Sequence, residues 1–233
     1  MMLKHSIYIL GFALSGAFTP SVARAQDLGG QTTNSNSATA DDGGWFVRGG
    51  PVGIFFSPAA DLSVGGAPFR GADVTVNDNY SVDFDLGYRI NRYISTTLTI
   101  GIPPTAKIRG AGTLAGANLG KVTYGPAILA AQFRIPTGSR RFEPYIGGGV
   151  NYTVILKSKG RDVANFDVSN AWGPVLQGGV ESMISDKLGI YVDVRKIWLK
   201  ADISGNLGVG GPPATGKATL SPLLVGAGVV FRF

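Results

Sequence analysis

Hydrophobic and polar residues alternate with a period of two through most of the chain after Trp45. The pattern is clearest at Tyr80–Ile90 and resumes at Tyr93–Ile102, where apolar side chains alternate with glycine, small polar or charged ones. This period predicts β-strands that each carry one apolar face. Amphipathic stretches with a helical period are missing, so the chain is predicted to be all-β.

The same pattern predicts eight strands, and the connections between them alternate between short and long. An even number of strands with short turns at one end and long loops at the other is typical of bacterial outer-membrane barrels. The sequence therefore predicts an eight-stranded antiparallel transmembrane β-barrel with short periplasmic turns and long extracellular loops. The predicted strands are Trp45–Phe56, Tyr80–Ile90, Tyr93–Pro103, Lys121–Ile135, Phe142–Leu156, Ala171–Ile184, Leu188–Ile203 and Ala218–Phe233. The predicted long loops are Ser57–Asn79, Pro104–Gly120, Lys157–Asn170 and Ser204–Lys217.

The alternative is a secreted soluble β-sandwich or lipocalin-like barrel, which would point its charged face outward. Here the charged residues share a face with the small residues, and the other face is nearly free of charge, which favours lipid outside. Lys196 is an exception on the predicted lipid face. Either its side chain extends to the headgroups or a bulge reverses the register there, and we favour the bulge. Aromatic residues cluster at the predicted strand ends, as in interfacial girdles: Trp45, Tyr93, Phe133, Phe142, Phe231, Phe233, Trp172 and Trp198.

Three segments are predicted along the chain. Residues 1–25 form a secretory signal peptide, because Lys4 precedes an apolar run and Ala23-Arg24-Ala25 provides a cleavage site. Residues 26–44 are polar, small and aperiodic, and are predicted to be a flexible periplasmic tail. Residues 45–233 form the barrel. The predicted location is the bacterial outer membrane.

Composition removes several classes of function. The chain has no cysteine, and its only histidine, His5, lies in the predicted signal peptide. Thiolate chemistry, imidazole metal sites and Ser-His-Asp catalysis are therefore excluded from the mature chain, and we expect no enzyme, no metal and no cofactor. Cleavage removes two of the 21 basic residues and leaves 19 against 15 acidic ones. This charge is small and scattered, so no nucleic-acid partner is expected.

Three blocks of the sequence resemble the OmpW family of small outer-membrane proteins. They are WFVRGG (45–50), FEPYIGGGVNYT (142–153) and AWGPVLQGGVESMISDKLGIYVDV (171–194), and the terminal VVFRF also fits. The resemblance implies an eight-stranded, monomeric barrel in contact with outer-membrane lipid and lipopolysaccharide. It also implies passage of small hydrophobic solutes, and Phe233 is expected to be read by the outer-membrane assembly machinery.

Strand parity predicts two layers inside the barrel. Five arginines and five carboxylates point inward in the periplasmic half, and they are expected to pair into a plug because an eight-stranded interior is only wide enough for side chains. These residues are Arg48, Asp83, Asp85, Arg89, Arg134, Glu143, Glu181, Asp193, Arg195 and Arg232. Apolar residues point inward near the external mouth and predict a pit for a hydrophobic solute: Ile54, Phe56, Tyr124, Pro126, Val175, Ile197, Leu199, Pro222 and Leu224.

Prolines within the predicted strands suggest a side exit from the pit into the bilayer. Pro51, Pro126, Pro174 and Pro222 each lack an N–H for the strand ladder. The alternative is that they only end or bend strands. A function of another class also stays open, namely a structural or interaction protein whose long loops contact other surfaces while the barrel transports nothing.

Overall fold

The computed structural model describes residues 43–139 and 141–233. The predicted signal peptide and most of the predicted tail, residues 26–42, lie outside the described residues. The first strand begins at Gly44, one residue before the predicted start at Trp45. Among the described residues, no helix is long and apolar enough to cross a membrane.

Strands account for most of the described chain, and eight of them close into an antiparallel barrel. In chain order the strands are β1 (Gly44–Phe55), β2 (Ala59–Val64), β3 (Ala67–Pro68), β4 (Ala72–Val76), β5 (Asn79–Arg89), β6 (Ile94–Gly101), β7 (Thr105–Gly112), β8 (Asn118–Arg134), β9 (Phe142–Gly160), β10 (Val163–Val168), β11 (Ala171–Met183), β12 (Leu188–Ile197), β13 (Lys200–Leu207), β14 (Pro213–Thr219) and β15 (Leu223–Arg232). Neighbouring strands pair in the order β6-β5-β1-β15-β12-β11-β9-β8, and the pairing of β8 with β6 closes the ring. The predicted eight-stranded antiparallel barrel is confirmed.

The predicted long loops are wrong in detail, because they hold most of seven further strands that extend the barrel on its outer side; β13 begins within the predicted strand Leu188–Ile203. Strands β4 and β7 continue the barrel sheet beyond β8, and a second sheet has the order β10-β13-β14-β2-β3. These strands are short and rich in small residues, as in AADLSV and PATGKAT, so they carry little β-propensity of their own. Their pairing with each other and their apolar contacts with the barrel mouth hold them in place.

Two of the predicted strands are each divided where the chain passes from the barrel into this extension. The predicted strand Leu188–Ile203 is interrupted at Trp198-Leu199, and the predicted strand Ala218–Phe233 is interrupted before Leu223. Pro222, which has no N–H, lies at the second interruption, and its carbonyl accepts a hydrogen bond of 3.0 Å from the Ile197 N–H. At each interruption the chain passes from one sheet to the other, so a single run of alternating residues contributes a strand to each sheet.

The outer surface of the barrel is apolar, and the inner surface carries the charged residues. Aromatic side chains pack in pairs near the periplasmic end, with Trp45 on Tyr88 at 5.1 Å between ring centroids and Tyr93 on Phe133 at 6.3 Å. The bulge that we favoured at Lys196 is wrong. Lys196 pairs in regular register with both neighbouring strands. Its ammonium group donates a hydrogen bond to the Ser221 carbonyl, which gives the charge a polar partner at the outer end of the strand.

Candidate functional site

Five charged side chains from five strands meet in the periplasmic part of the barrel interior. The Glu181 carboxylate is fully buried and lies 2.9 Å from Arg134 Nη1 and 2.8 Å from Arg232 Nη2. The Glu143 carboxylate lies 3.0 Å from Arg134 Nη1 and also pairs with Arg89 and Arg232. Every member therefore has at least one partner of opposite charge, the condition for holding ions away from water.

The other five charged residues form a second cluster further toward the outside. Arg48 Nη2 lies 2.7 Å from Asp85 Oδ2, and Arg195 Nη2 lies 2.9 Å from the same oxygen. Arg195 also pairs with Asp193 at 2.5 Å and with Asp83 at 3.5 Å. Arg48 Nη1 lies 3.3 Å from Glu181 Oε1 and links the two clusters. The structure thus brings all ten residues of the predicted plug into one network.

Tyr145 on β9 belongs to this network and was not among the predicted residues. Its hydroxyl donates a hydrogen bond of 2.7 Å to Asp193 Oδ2 and accepts one of 2.6 Å from Arg48 Nη1. The Arg48 guanidinium also lies 5.2 Å from the centroid of the Tyr145 ring. Strand parity could have identified Tyr145, because it shares a face with Glu143 two residues earlier.

Gly179 on β11 provides the space that the Tyr145 side chain occupies. A Cβ atom at Gly179 would lie 2.6 Å from the Tyr145 hydroxyl oxygen and 2.5 Å from the Val192 carbonyl oxygen. We therefore expect Gly179→Ala to lower the free energy of unfolding by about 1–3 kcal/mol, the usual cost of overpacking. Urea unfolding in detergent micelles measures this change. Gly178→Ala is the matched control, because its nearest new contact would be an ordinary 3.7 Å. Equal effects of the two substitutions would contradict this role of Gly179.

An apolar cavity of about 60 Å³ lies above the ion network, at the outer end of the barrel. Eight of the nine predicted pit residues line it, and the ninth, Val175, packs in the same apolar cluster without lining the cavity. Only Tyr124 and Thr153 bring polar side chains to its wall. The lining residues predicted from the sequence are Ile54, Phe56, Tyr124, Pro126, Ile197, Leu199, Pro222 and Leu224.

Ten further residues line the cavity and were missed. Val76, Ala106 and Ile108 lie on β4 and β7, in segments that the sequence pattern assigned to loops. Val122 could have been found, because it shares the inward face of β8 with Tyr124. The others are Thr153, Ile155, Val168, Ala171, Ala201 and Leu220.

Apolar packing continues outward from the cavity but not inward. The residues of the cavity and those of the extension form one apolar cluster, and a second cavity of about 50 Å³ lies in the extension beside Phe166 and Leu119. Toward the periplasm, the space between Leu224 and the charged pair Asp193–Arg195 is only about 10 Å³. That is the size of about one water molecule, so the ion network closes the barrel below the cavity.

Comparison with known proteins places this architecture among outer-membrane barrels. The sequence model of the OmpW family matches residues 41–233. The chain is 37% identical over 195 residues to the dibenzothiophene metabolism operon protein PahQ of Pseudomonas aeruginosa, covering 83% of this chain and 90% of that protein. The outer membrane protein OprG of Pseudomonas aeruginosa has the same fold, with a TM-score of 0.77 and 21% identity over 83% of this chain and 97% of that one. The structure of AlkL in lipid bilayers gives a TM-score of 0.67 and 25% identity over 92% and 97% of the two chains.

Proposed function

The chain belongs to the OmpW family and is a bacterial outer-membrane barrel, and from this premise we propose that it transfers small hydrophobic molecules from the outside into the bilayer. The observation that carries the proposal is the apolar cavity at the outer end of a barrel whose other end is closed by buried ions. Hydrophobic solutes gain about 25 cal/mol for each Å² of apolar surface removed from water, so an apolar wall favours their binding.

The ion network directs the solute away from the periplasm. A hydrophobic molecule that moved further down the barrel would have to displace paired ions and leave buried charges without partners. The gap of about 10 Å³ above Asp193 and Arg195 also leaves no room for it. The route therefore has to leave the barrel sideways, at the level of the cavity.

The wall beside the cavity has few backbone hydrogen bonds between β8 and the junction of β6 with β7. The β6–β8 ladder ends at the pair Ile100 and Ala127, and the β7–β8 ladder begins at Thr105 and Thr123. Pro103 and Pro104 on one side and Pro126 on the other cannot donate ladder bonds. One backbone hydrogen bond spans the interval, from the Tyr124 N–H to the Pro104 carbonyl at 3.2 Å. We call this interval the proline seam, and it is the proposed side exit.

The other prolines of the sequence hypothesis have different surroundings. Pro51 and Pro174 are exposed on the outside of the barrel, and Pro222 lines the cavity where the chain passes from β14 to β15. Among the four, Pro126 is the one that lines the cavity and also borders the proline seam. The side exit is therefore proposed there.

The cavity has room for about four to six water molecules, at about 10–15 Å³ of such space for each. A solute must therefore displace side chains of the lining, and planar molecules need the least displacement. The relative PahQ is named a dibenzothiophene metabolism operon protein, and this name supports an aromatic compound as the solute to test. We propose small aromatic hydrocarbons and their sulfur analogues as the substrate class.

Filling the cavity tests the proposal. Leu224→Trp places a bulky indole ring between the cavity and the ion network. We expect it to lower transfer of dibenzothiophene into proteoliposomes about tenfold, the effect of losing about 1.4 kcal/mol of binding. Val225→Trp is the control, because Val225 is the next residue and faces lipid. Unchanged transfer through a folded Leu224→Trp barrel would refute binding in the cavity.

A further inference from the structure

Three lysines on adjacent strands form a row on the outer face of the extension. Lys107 on β7 lies directly opposite Lys121 on β8, and Lys121 lies directly opposite Lys159 on β9. All three are exposed, and Arg109 and Arg161 join them around a surface depression of about 370 Å³. We call Lys107, Lys121 and Lys159 the lysine row.

Such a row disfavours folding unless something neutralises it. Like charges directly opposite each other on neighbouring strands destabilise the pairing. Among the described residues, none of the five cationic side chains takes part in an ion pair. The Asp162 carboxylate nearby accepts a hydrogen bond from the Asn118 N–H. The positive charge of the row is thus left for a ligand.

The second sheet of the extension shows the ordinary arrangement. Lys217 on β14 lies opposite Asp202 on β13 and opposite Asp61 on β2, so acidic residues flank the lysine on both sides. All three side chains are exposed, as those of the lysine row are. Within the described part of the chain, Lys121 instead has a lysine opposite it on each side. This arrangement is therefore specific to the lysine row and is not a property of the whole extension.

The height of the lysine row matches the surface of the outer leaflet. Lys121 and Phe133 lie on the outward face of β8, 12 residues apart, and Phe133 stacks on Tyr93 in the periplasmic aromatic cluster. At about 3.3 Å per residue and a tilt of about 40°, this separation is about 30 Å along the barrel axis. The apolar band of such barrels is about 25 Å tall, so the lysine row lies just above the hydrocarbon, among the headgroups.

We propose that the lysine row binds the phosphate groups of lipopolysaccharide in the outer leaflet. Each ammonium group donates up to three hydrogen bonds and suits phosphate as a point charge. Strands lie about 4.8 Å apart, so the Cα atoms of Lys107 and Lys159 are about 10 Å apart, and the row can contact more than one phosphate. The bound lipid neutralises the repulsion between the lysines and fixes this side of the extension at the membrane surface.

The test compares binding of diphosphorylated lipid A by the purified mature protein and its variants, counted by native mass spectrometry. We expect Lys107→Gln/Lys121→Gln/Lys159→Gln to weaken binding about tenfold or more, since each cation near an anionic surface contributes about 1 kcal/mol. The corresponding triple arginine variant should bind as the wild type does, because it keeps the charge. Lys217→Gln should also bind normally, because its removal leaves the lysine row intact.

Three results would overturn the proposal. The first is that the triple glutamine variant, shown to be folded by its heat-dependent gel shift, binds lipid A as tightly as the wild type does. The second is that the wild type binds lipid A without phosphate equally well. The third is that the wild type binds heparin more tightly than lipid A, which would assign the lysine row to soluble polyanions.

Discussion

Glu181→Ala should lower the free energy of unfolding of the barrel by about 3–5 kcal/mol, the cost of removing one partner from a buried ion pair. The Glu181 side chain is fully buried and contacts Arg48, Arg134 and Arg232. Without it, the periplasmic cluster keeps Glu143 as its one carboxylate against three guanidinium groups. Urea unfolding in micelles or thin bilayers, followed by tryptophan fluorescence, measures the change.

Two further variants separate the loss of charge pairing from the loss of packing. Asp61→Ala removes an exposed carboxylate from the extension and should change the free energy of unfolding by less than about 0.5 kcal/mol. Glu181→Leu combined with Arg134→Met removes both partners and should be less destabilising than Glu181→Ala, because fewer charges remain unpaired. A loss of under 1 kcal/mol in Glu181→Ala would show that water or a neighbouring carboxylate already compensates these arginines.

The inward positions of charged residues could be predicted because parity within one strand decides which face a side chain takes. Asp85 illustrates this, since it shares a face with Ser81 and Gly87 and the assignment requires no partner to be known. The pairing itself follows from register, which places Arg48 directly opposite Asp85 across β1 and β5. Register depends on contacts between distant segments, so the pair Arg48–Asp85 could not be named from one strand alone.

The extension could not be predicted because its strands have almost no signal of their own. Strand β3 contains two residues, Ala67 and Pro68, and the turn before it uses Gly65 and Gly66 at positive φ values of 60° and 84°. Such a segment has the composition of a loop, and pairing with β2 decides its conformation. This is why Ala106 and Val168, which line the cavity from the extension, were absent from the predicted pit.

The two layers of the interior have one physical origin. A narrow barrel must be filled with side chains, and charged ones can fill it only as a paired network. The apolar layer needs no such pairing, so it can open around a solute without leaving a buried ion unpaired. We therefore expect the lining of the cavity to change shape around a solute, and the ion network beneath Leu224 to stay closed.

Closing the proline seam with a disulfide should stop transfer while leaving the cavity intact. A Cβ atom at Gly125 would lie 3.8 Å from Pro103 Cγ, so the side chains at the two positions meet across the seam and a small adjustment brings them to disulfide geometry. The chain has no cysteine, so Pro103→Cys/Gly125→Cys gives one defined bond. Oxidation should abolish most dibenzothiophene transfer into proteoliposomes, since solute in the cavity loses its exit, and reduction should restore it.

The control places the same bond where the ladder is already complete. Leu86 and Leu98 lie directly opposite each other on β5 and β6, and both face lipid. Oxidised Leu86→Cys/Leu98→Cys should transfer dibenzothiophene as its reduced form does. The β5–β6 ladder is already continuous there, so the disulfide closes no exit. Equal transfer by the oxidised and reduced seam variant would place the exit elsewhere. Full binding of dibenzothiophene by the oxidised seam variant, measured by fluorescence quenching, would show that only the exit had been closed.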